Sequence, residues 1–224
     1  MLLSRPVILK HMELKNIVIE PFNEKNLGNS GYDVTLGCYY WRKVEPKPEP
    51  GGDVFNPFDP DHVYSKWGSR HHTAQPLRSH DIKLKNISPD DLVIWLKPGE
   101  TILAHTEEFI GGVNCVTTQM KARSTSGRND ITVCRCAGKG DVGYINRWTM
   151  EITNNDCNKI PMVIGRRYAQ IEFYEVEPLS EKDQYHLKSD TKYQPGTVDL
   201  QIIKANWGPE DMLPKMWKDR EIKQ

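Results

Sequence analysis

The chain has 224 residues, with 30 Lys+Arg against 30 Asp+Glu and a hydrophobic fraction of 38%. That length fits one substantial domain, and nine Tyr, six Trp and five Phe supply a core that excludes a disordered chain. The zero net charge argues against a general nucleic-acid coat, and no apolar run reaches the roughly 20 residues of a membrane helix. The opening, MLLSRPVILKHMELK, is broken by Arg, Pro, Lys and His and lacks the apolar core of a signal peptide. A soluble cytoplasmic protein is expected, with no nucleic-acid or membrane partner.

In chain order, SRPVILKHMEL suggests one short helix, with Ser4 as its cap and Pro6 in its first turn. Strands are then expected at 16–20 (NIVIE), 32–37 (YDVTLG), 80–85 (HDIKLK), 91–96 (DLVIWL) and 100–109 (ETILAHTEEF). Others follow at 113–122 (VNCVTTQMKA), 130–136 (DITVCRC), 148–154 (WTMEITN) and 168–176 (YAQIEFYEV). Several alternate apolar and polar residues, the mark of a half-buried strand, and PGE, NND and EPLSEKD separate them as turns. Short strands with little helix point to a mainly β sandwich or jelly-roll-like barrel. Residues 45–79, rich in Pro, Gly and polar residues, are expected to form a surface excursion in which His71 and His72 are solvated. The stretch 203–224, with Trp207 and Trp217, is either a docked amphipathic tail or an arm that contacts a partner. Five cysteines, at 38, 115, 134, 136 and 157, make no disulfide framework, and alternation on a strand would bury Cys134 and Cys136 on one face.

Unusual chemistry is concentrated in residues 120–155. Arg123 and Arg128 bracket Ser124, Thr125, Ser126 and Gly127. Two guanidinium groups around hydroxyls and a glycine suit a loop wrapping phosphate oxygens, although a solvated turn has the same composition. Glu151 lies between Met150 and Ile152 in a strand-like run, so it faces away from them. It is therefore either an exposed ladder residue or a functional carboxylate. Asp141, in the glycine-flanked turn GDVGY, could accept a hydrogen bond from a sugar hydroxyl or simply cap the turn. His105-Thr106-Glu107 matches the H-x-E of zinc deaminases, but the Pro-Cys pair that must follow occurs nowhere in the chain. No zinc is expected.

The ordered series YDVTLG, PGE, ARSTSGR, AGKGDVGY, TMEITN, GRRYAQIEF and KYQPG resembles the deoxycytidine triphosphate deaminase family, within the deoxyuridine triphosphatase superfamily. The likeness runs over residues 1–200 and is densest from 120 to 154. It implies a distorted jelly-roll-like β-barrel over residues 1–202, with a short N-terminal helix and a C-terminal arm at 203–224. It implies that Glu151 is the catalytic glutamate, that Ser124 helps hold the attacking water, and that Arg128 sits beside the carboxylate. Arg123, Thr125, Ser126, Gly127 and Lys192 would meet the triphosphate, and Asp141 the sugar hydroxyl. Ala137, Lys139, Thr149, Met150, Tyr185 and Gln194 would complete the substrate site. Two departures stand out: Gly140 replaces a hydrophobic residue before the sugar aspartate, and Asn146 a small one.

The implied activity is zinc-independent hydrolysis of dCTP to dUTP and ammonia. The alternatives are a bifunctional enzyme that goes on to dUMP and pyrophosphate, a dUTPase, or a non-catalytic nucleotide-binding regulator. Mg²⁺ would be bound through the triphosphate, without protein ligands. The resemblance also implies a homotrimer with sites between subunits, dCTP and dUTP as ligands, and dTTP as a candidate inhibitor.

Overall fold

The computed structural model describes residues 1–45, 54–188 and 191–222. Helix α1 (Arg5–Glu13) starts with Pro6 in its first turn and buries Ile8 and His11 against the sheet. Ser4 holds the N-cap position but its side chain makes no capping bond. The helix start is tied instead by the Arg5 N–H donating to the Asn29 carbonyl at 2.6 Å. In order follow β1 (Ile17–Glu20), β2 (Tyr32–Arg42), α2 (Pro60–Trp67), β3 (His72–Thr73), β4 (Gln75–Pro76), β5 (Leu92–Leu96), β6 (Thr101–Gly112) and β7 (Val116–Ala122). The remainder comprises α3 (Ser124–Gly127), β8 (Ile131–Thr132), β9 (Lys139–Gly140), β10 (Tyr144–Asn154), β11 (Ile160–Val163), β12 (Arg167–Glu175) and α4 (Leu200–Asn206).

The architecture is mainly β, as the alternation predicts. The larger sheet runs β8-β10-β6-β2-β12-β7-β9, with β1 added to β6 and β3 to β2; a smaller one runs β11-β5-β4. Every pairing is antiparallel. Strand β6 lacks clean alternation because both of its faces are covered. Ile102, Ala104 and Ile110 enter the main core, while Leu103 and Phe109 on the other face enter two satellite clusters. Along β10, Trp148, Met150 and Ile152 fill the main core, which turns Thr149 and Glu151 to the opposite side. Glu151 pairs in register with Leu103.

Several expectations fail locally. Residues 80–85 form no strand: a 3-10 turn covers Leu77–His80, Asp81 has φ +50°, and Leu84 packs separately beside Leu77, Val93 and Val163. The expected strand at 130–136 stops at Thr132. Arg135 takes φ +37°, which turns the chain and leaves Cys134 buried but Cys136 exposed. Part of the excursion, 46–53, lies outside the described residues. The rest is not merely surface loop: Asp59 caps α2, whose Val63 and Trp67 pack on Trp41 and Leu103. His71 is likewise not simply solvated, since it meets Tyr39 and Trp41 edge-on and reaches Glu210 at 3.5 Å. His72 stacks on Tyr40. Among the described residues, no helix is long and apolar enough to cross a membrane.

Candidate active site

A cleft of about 850 Å³ lies over the outer face of β10. Thr149, Glu151 and Leu103 line it from the sheet; Ala137, Lys139 and Asp141 line it from the β9 segment. Its remaining wall comes from the C-terminal 40 or so residues, including Tyr185, Lys192, Tyr193, Trp207 and Asp219.

Glu151 is the chemical centre of this cleft. It is half-buried, and its Oε2 is shielded from solvent without a hydrogen-bond partner among the described residues. Burial raises its pKa above the ordinary carboxylate value, while the charge of Arg135 pulls in the opposite direction. The neighbouring Cys134 thiol is pushed up to about 11 by burial, with the Glu151 charge adding to the shift. A carboxylate whose pKa is raised by burial is suited to take and return protons.

Asp141 opens the turn into β10, its carbonyl accepting the Tyr144 N–H at 3.0 Å. Its carboxylate pairs with Lys139 Nζ at 2.9 Å. The turn can sit this close to the sheet only because residue 140 is glycine. A Cβ there would lie 2.4 Å from the Trp148 ring and 2.3 Å from Thr118 Oγ1. Trp148 is fixed by donating its indole N–H to the Ile110 carbonyl at 2.9 Å. Tyr144 meets both Trp148 and Tyr185 edge-on, at 5.5 and 5.3 Å.

The C-terminal segment is stitched to β10 by polar side chains. Gln194 accepts the Ile145 N–H at 2.7 Å and donates to the carbonyls of Gly143 (3.0 Å) and Thr197 (2.9 Å). Buried Asn146 donates to the Tyr193 carbonyl at 2.5 Å, which accounts for an amide where a small residue was expected. Beyond α4 the chain is a docked tail: Met212 and Leu213 are buried with Trp41, Val63 and Trp67, and the Trp41 indole donates to the Pro209 carbonyl at 2.7 Å. Inside the cleft, Lys192 is ion-paired with Asp219 of this tail.

The arginine loop lies elsewhere on the chain. Arg123 pairs with Asp33 at 2.9 Å, and Ser126 donates to the Tyr168 carbonyl at 2.8 Å. Together with Ser124 and Gly127 these residues belong to the single turn of α3 and its flank. Thr125, Ser126 and Arg128 line a second cavity of about 440 Å³, shared with Asp130 and Arg167. The expected site residues therefore divide. Ala137, Lys139, Asp141, Thr149, Glu151, Tyr185 and Lys192 share the large cleft, Thr125, Ser126 and Arg128 the second cavity. The Met150 side chain enters the core, and Gln194 acts on backbone. Missed from sequence were Asn146, Trp148, Tyr193 and the tail residues at 211–221. For the tail, the available signal was the pair Trp207 and Trp217 among mixed charges.

His105 has both ring nitrogens engaged: Nδ1 donates to the Thr106 carbonyl at 2.8 Å and Nε2 accepts the Tyr39 N–H at 3.2 Å. Neither lone pair is left for a metal, and burial lowers its pKa to about 4. Gly37 leaves the room for this ring, which would stand 1.9 Å from a Cβ at that position.

Residues 2–176 match the family model described as dCTP deaminase-like. The chain belongs to the dCTP deaminase-like family. Similar proteins include the dUMP-forming dCTP deaminase of Methanosphaera stadtmanae, 30% identical over 205 residues that cover 91% of this chain and 93% of that one. The enzyme of the same name from Methanosphaerula palustris is 25% identical over 187 residues, covering 84% of this chain and 87% of its own. Among solved structures, the 2′-deoxycytidine 5′-triphosphate deaminase of Agrobacterium tumefaciens shares the fold, with a TM-score of 0.53 at 17% identity. The match covers 78% of this chain and 48% of that one.

Proposed function

We propose that the protein is a dCTP deaminase and that Glu151 is its general acid–base. The observation that carries this reading is the solvent-shielded, unpartnered Glu151 Oε2 in the same cleft as Asp141. Glu151 takes a proton from water, and the hydroxide adds to C4 of the cytosine. The carboxyl group then returns the proton to N3, and a second transfer releases the amino group as ammonia, leaving the uracil carbonyl. A positioned acid–base of this type contributes on the order of 10²–10⁴-fold. Asp141 would accept the sugar hydroxyl, and Lys139 and Lys192 would face the phosphates. Neither step needs zinc.

Mg²⁺ arriving on the triphosphate would neutralise phosphate charge, held through the phosphate oxygens without protein ligands. Arg123, Ser124 and Arg128 would act on a neighbouring subunit's nucleotide. The separation of their loop from the cleft on one chain supports a site shared between copies, as in a homotrimer.

The names of the relatives, dUMP-forming, favour the second reading, in which the uracil triphosphate loses pyrophosphate before release. Incubation with dCTP and Mg²⁺, following ammonia, dUTP, dUMP and pyrophosphate together, tests both. Ammonia with accumulating dUTP fits the simple deaminase, and ammonia with matched dUMP and pyrophosphate the bifunctional one. Turnover of dUTP alone would overturn deamination, and no turnover of either would leave the regulator.

A further inference from the structure

We infer that Arg135 is a positioning residue for the Glu151 carboxylate, its guanidinium anchored by the hydroxyls of Thr101 and Thr153 on the strand pair that carries Glu151. Arg135 is anchored from both sides of one strand pair: Nη2 donates to Thr101 Oγ1 at 2.9 Å and lies 3.5 Å from Thr153 Oγ1. The two hydroxyls are themselves 2.9 Å apart across β6 and β10. Thr153 and Glu151 are next but one on β10 and share its outer face, so their Cα atoms stand about 6.7 Å apart. The backbone at Arg135 takes φ +37°, a conformation that a long side chain rarely adopts. That local strain is retained where the chain turns this side chain back onto the sheet.

The charges around Glu151 leave Arg135 a distinct part. Three cleft cations are matched one to one, Lys139 with Asp141, Arg147 with Glu107 and Lys192 with Asp219, and Lys215 beside them pairs with Asp211. Lys188, Arg220 and Glu221 are exposed on the cleft's outer edge, where water screens them. His105 is buried neutral on β6, and Tyr193 and Cys134 are protonated at neutral pH by burial. Arg135 bonds two neutral hydroxyls and, among the described residues, no carboxylate. Its charge, paired with no carboxylate among the described residues, acts on the Glu151 carboxyl, whose Oε2 has no hydrogen-bond partner there. It favours the anionic form of Glu151, the form that accepts the proton of water, against the burial that disfavours it.

This rests on Glu151 being the base, and two readouts separate the two claims. The first is the pH dependence of kcat/KM for dCTP in the unaltered protein, Arg135→Gln and Arg135→Lys. Arg135→Gln is expected to move the acid limb up by about one pH unit, the effect of one partly screened charge at this range. Arg135→Lys, which keeps the charge, is expected to restore most of it. The second is direct titration of the Glu151 carboxyl by carbon NMR, compared with Glu151→Gln for assignment, which needs no activity. A Glu151 titration that is the same in Arg135→Gln as in the unaltered protein overturns the inference. A shifted titration in a protein that releases no ammonia from dCTP upholds it and overturns the deaminase reading instead.

Discussion

Trp148 occupies the space a side chain at residue 140 would need, its ring 2.4 Å from where a Cβ of Gly140 would stand. The pair couples the main core to the Asp141 turn, because Trp148 is packed in the core while Gly140 precedes Asp141, which lines the cleft. Gly140→Ala is expected to lower stability by about 1–3 kcal/mol, the usual range for forcing atoms into a packed site. The indole is pinned to Ile110, so the ring cannot simply swing aside. Urea unfolding monitored by tryptophan fluorescence checks this; an unchanged midpoint would show that the turn yields instead.

Glu151→Gln is expected to abolish ammonia release while nucleotide binding persists. It should also stabilise the fold at neutral pH. Burial raises the Glu151 pKa, so the folded state holds its proton to higher pH than the unfolded chain, whose ordinary value is 4.5. Folding is not penalised by this group below that value, and stability falls as pH rises through the folded pKa. The substitution removes that loss, so a stabilisation is expected at pH 7.5 that disappears below about pH 4. Denaturation at the two pH values measures the difference.

Leu213→Ala cuts the tail's buried anchor against Trp41 and Trp67. Truncations of this type cost about 2–5 kcal/mol, here drawn first from the docking of residues 209–222. Hydrogen exchange should accelerate at least about 10-fold in that segment and remain slow in β10. The KM for dCTP should rise, since the tail forms one wall of the cleft.

A site shared between subunits predicts complementation. Arg128→Ala and Glu151→Gln proteins, each inactive alone, should regain activity when unfolded together and refolded as a mixture. Random assembly of equal amounts restores about a quarter of the sites. Continued inactivity in a mixed oligomer of verified composition would place both residues in one subunit's site.

The strands that alternated cleanly, such as β1 and β12, were legible because one face meets the core and the other water. Residues 80–85 alternate equally well, yet φ +50° at Asp81 breaks the run and no neighbouring strand pairs with it. Helix α2 was hidden in a loop-like composition, although Asp59 before Pro60 and the four-residue spacing of Val63 and Trp67 carried its signal. The side to which Glu151 points was legible from its apolar neighbours on β10. The back wall of the cleft was not: pairing Lys192 with Asp219, or seating Leu213 on Trp41, depends on where a distant segment docks. The same long-range fact explains Asn146 and Gln194, whose amides bond backbone across the junction of β10 and the C-terminal segment.

The ion pair between Lys192 and Asp219 makes the resting cleft an ion exchanger rather than a vacant cationic trap. A triphosphate meeting Lys192, as proposed above, would gain that cation only by expelling a carboxylate belonging to the protein itself. The displaced partner remains tethered, so its local concentration does not change with the salt of the medium. Affinity for the proposed nucleotide would thus be buffered against ionic strength, and inorganic anions too weak to dislodge Asp219 would be kept from Lys192.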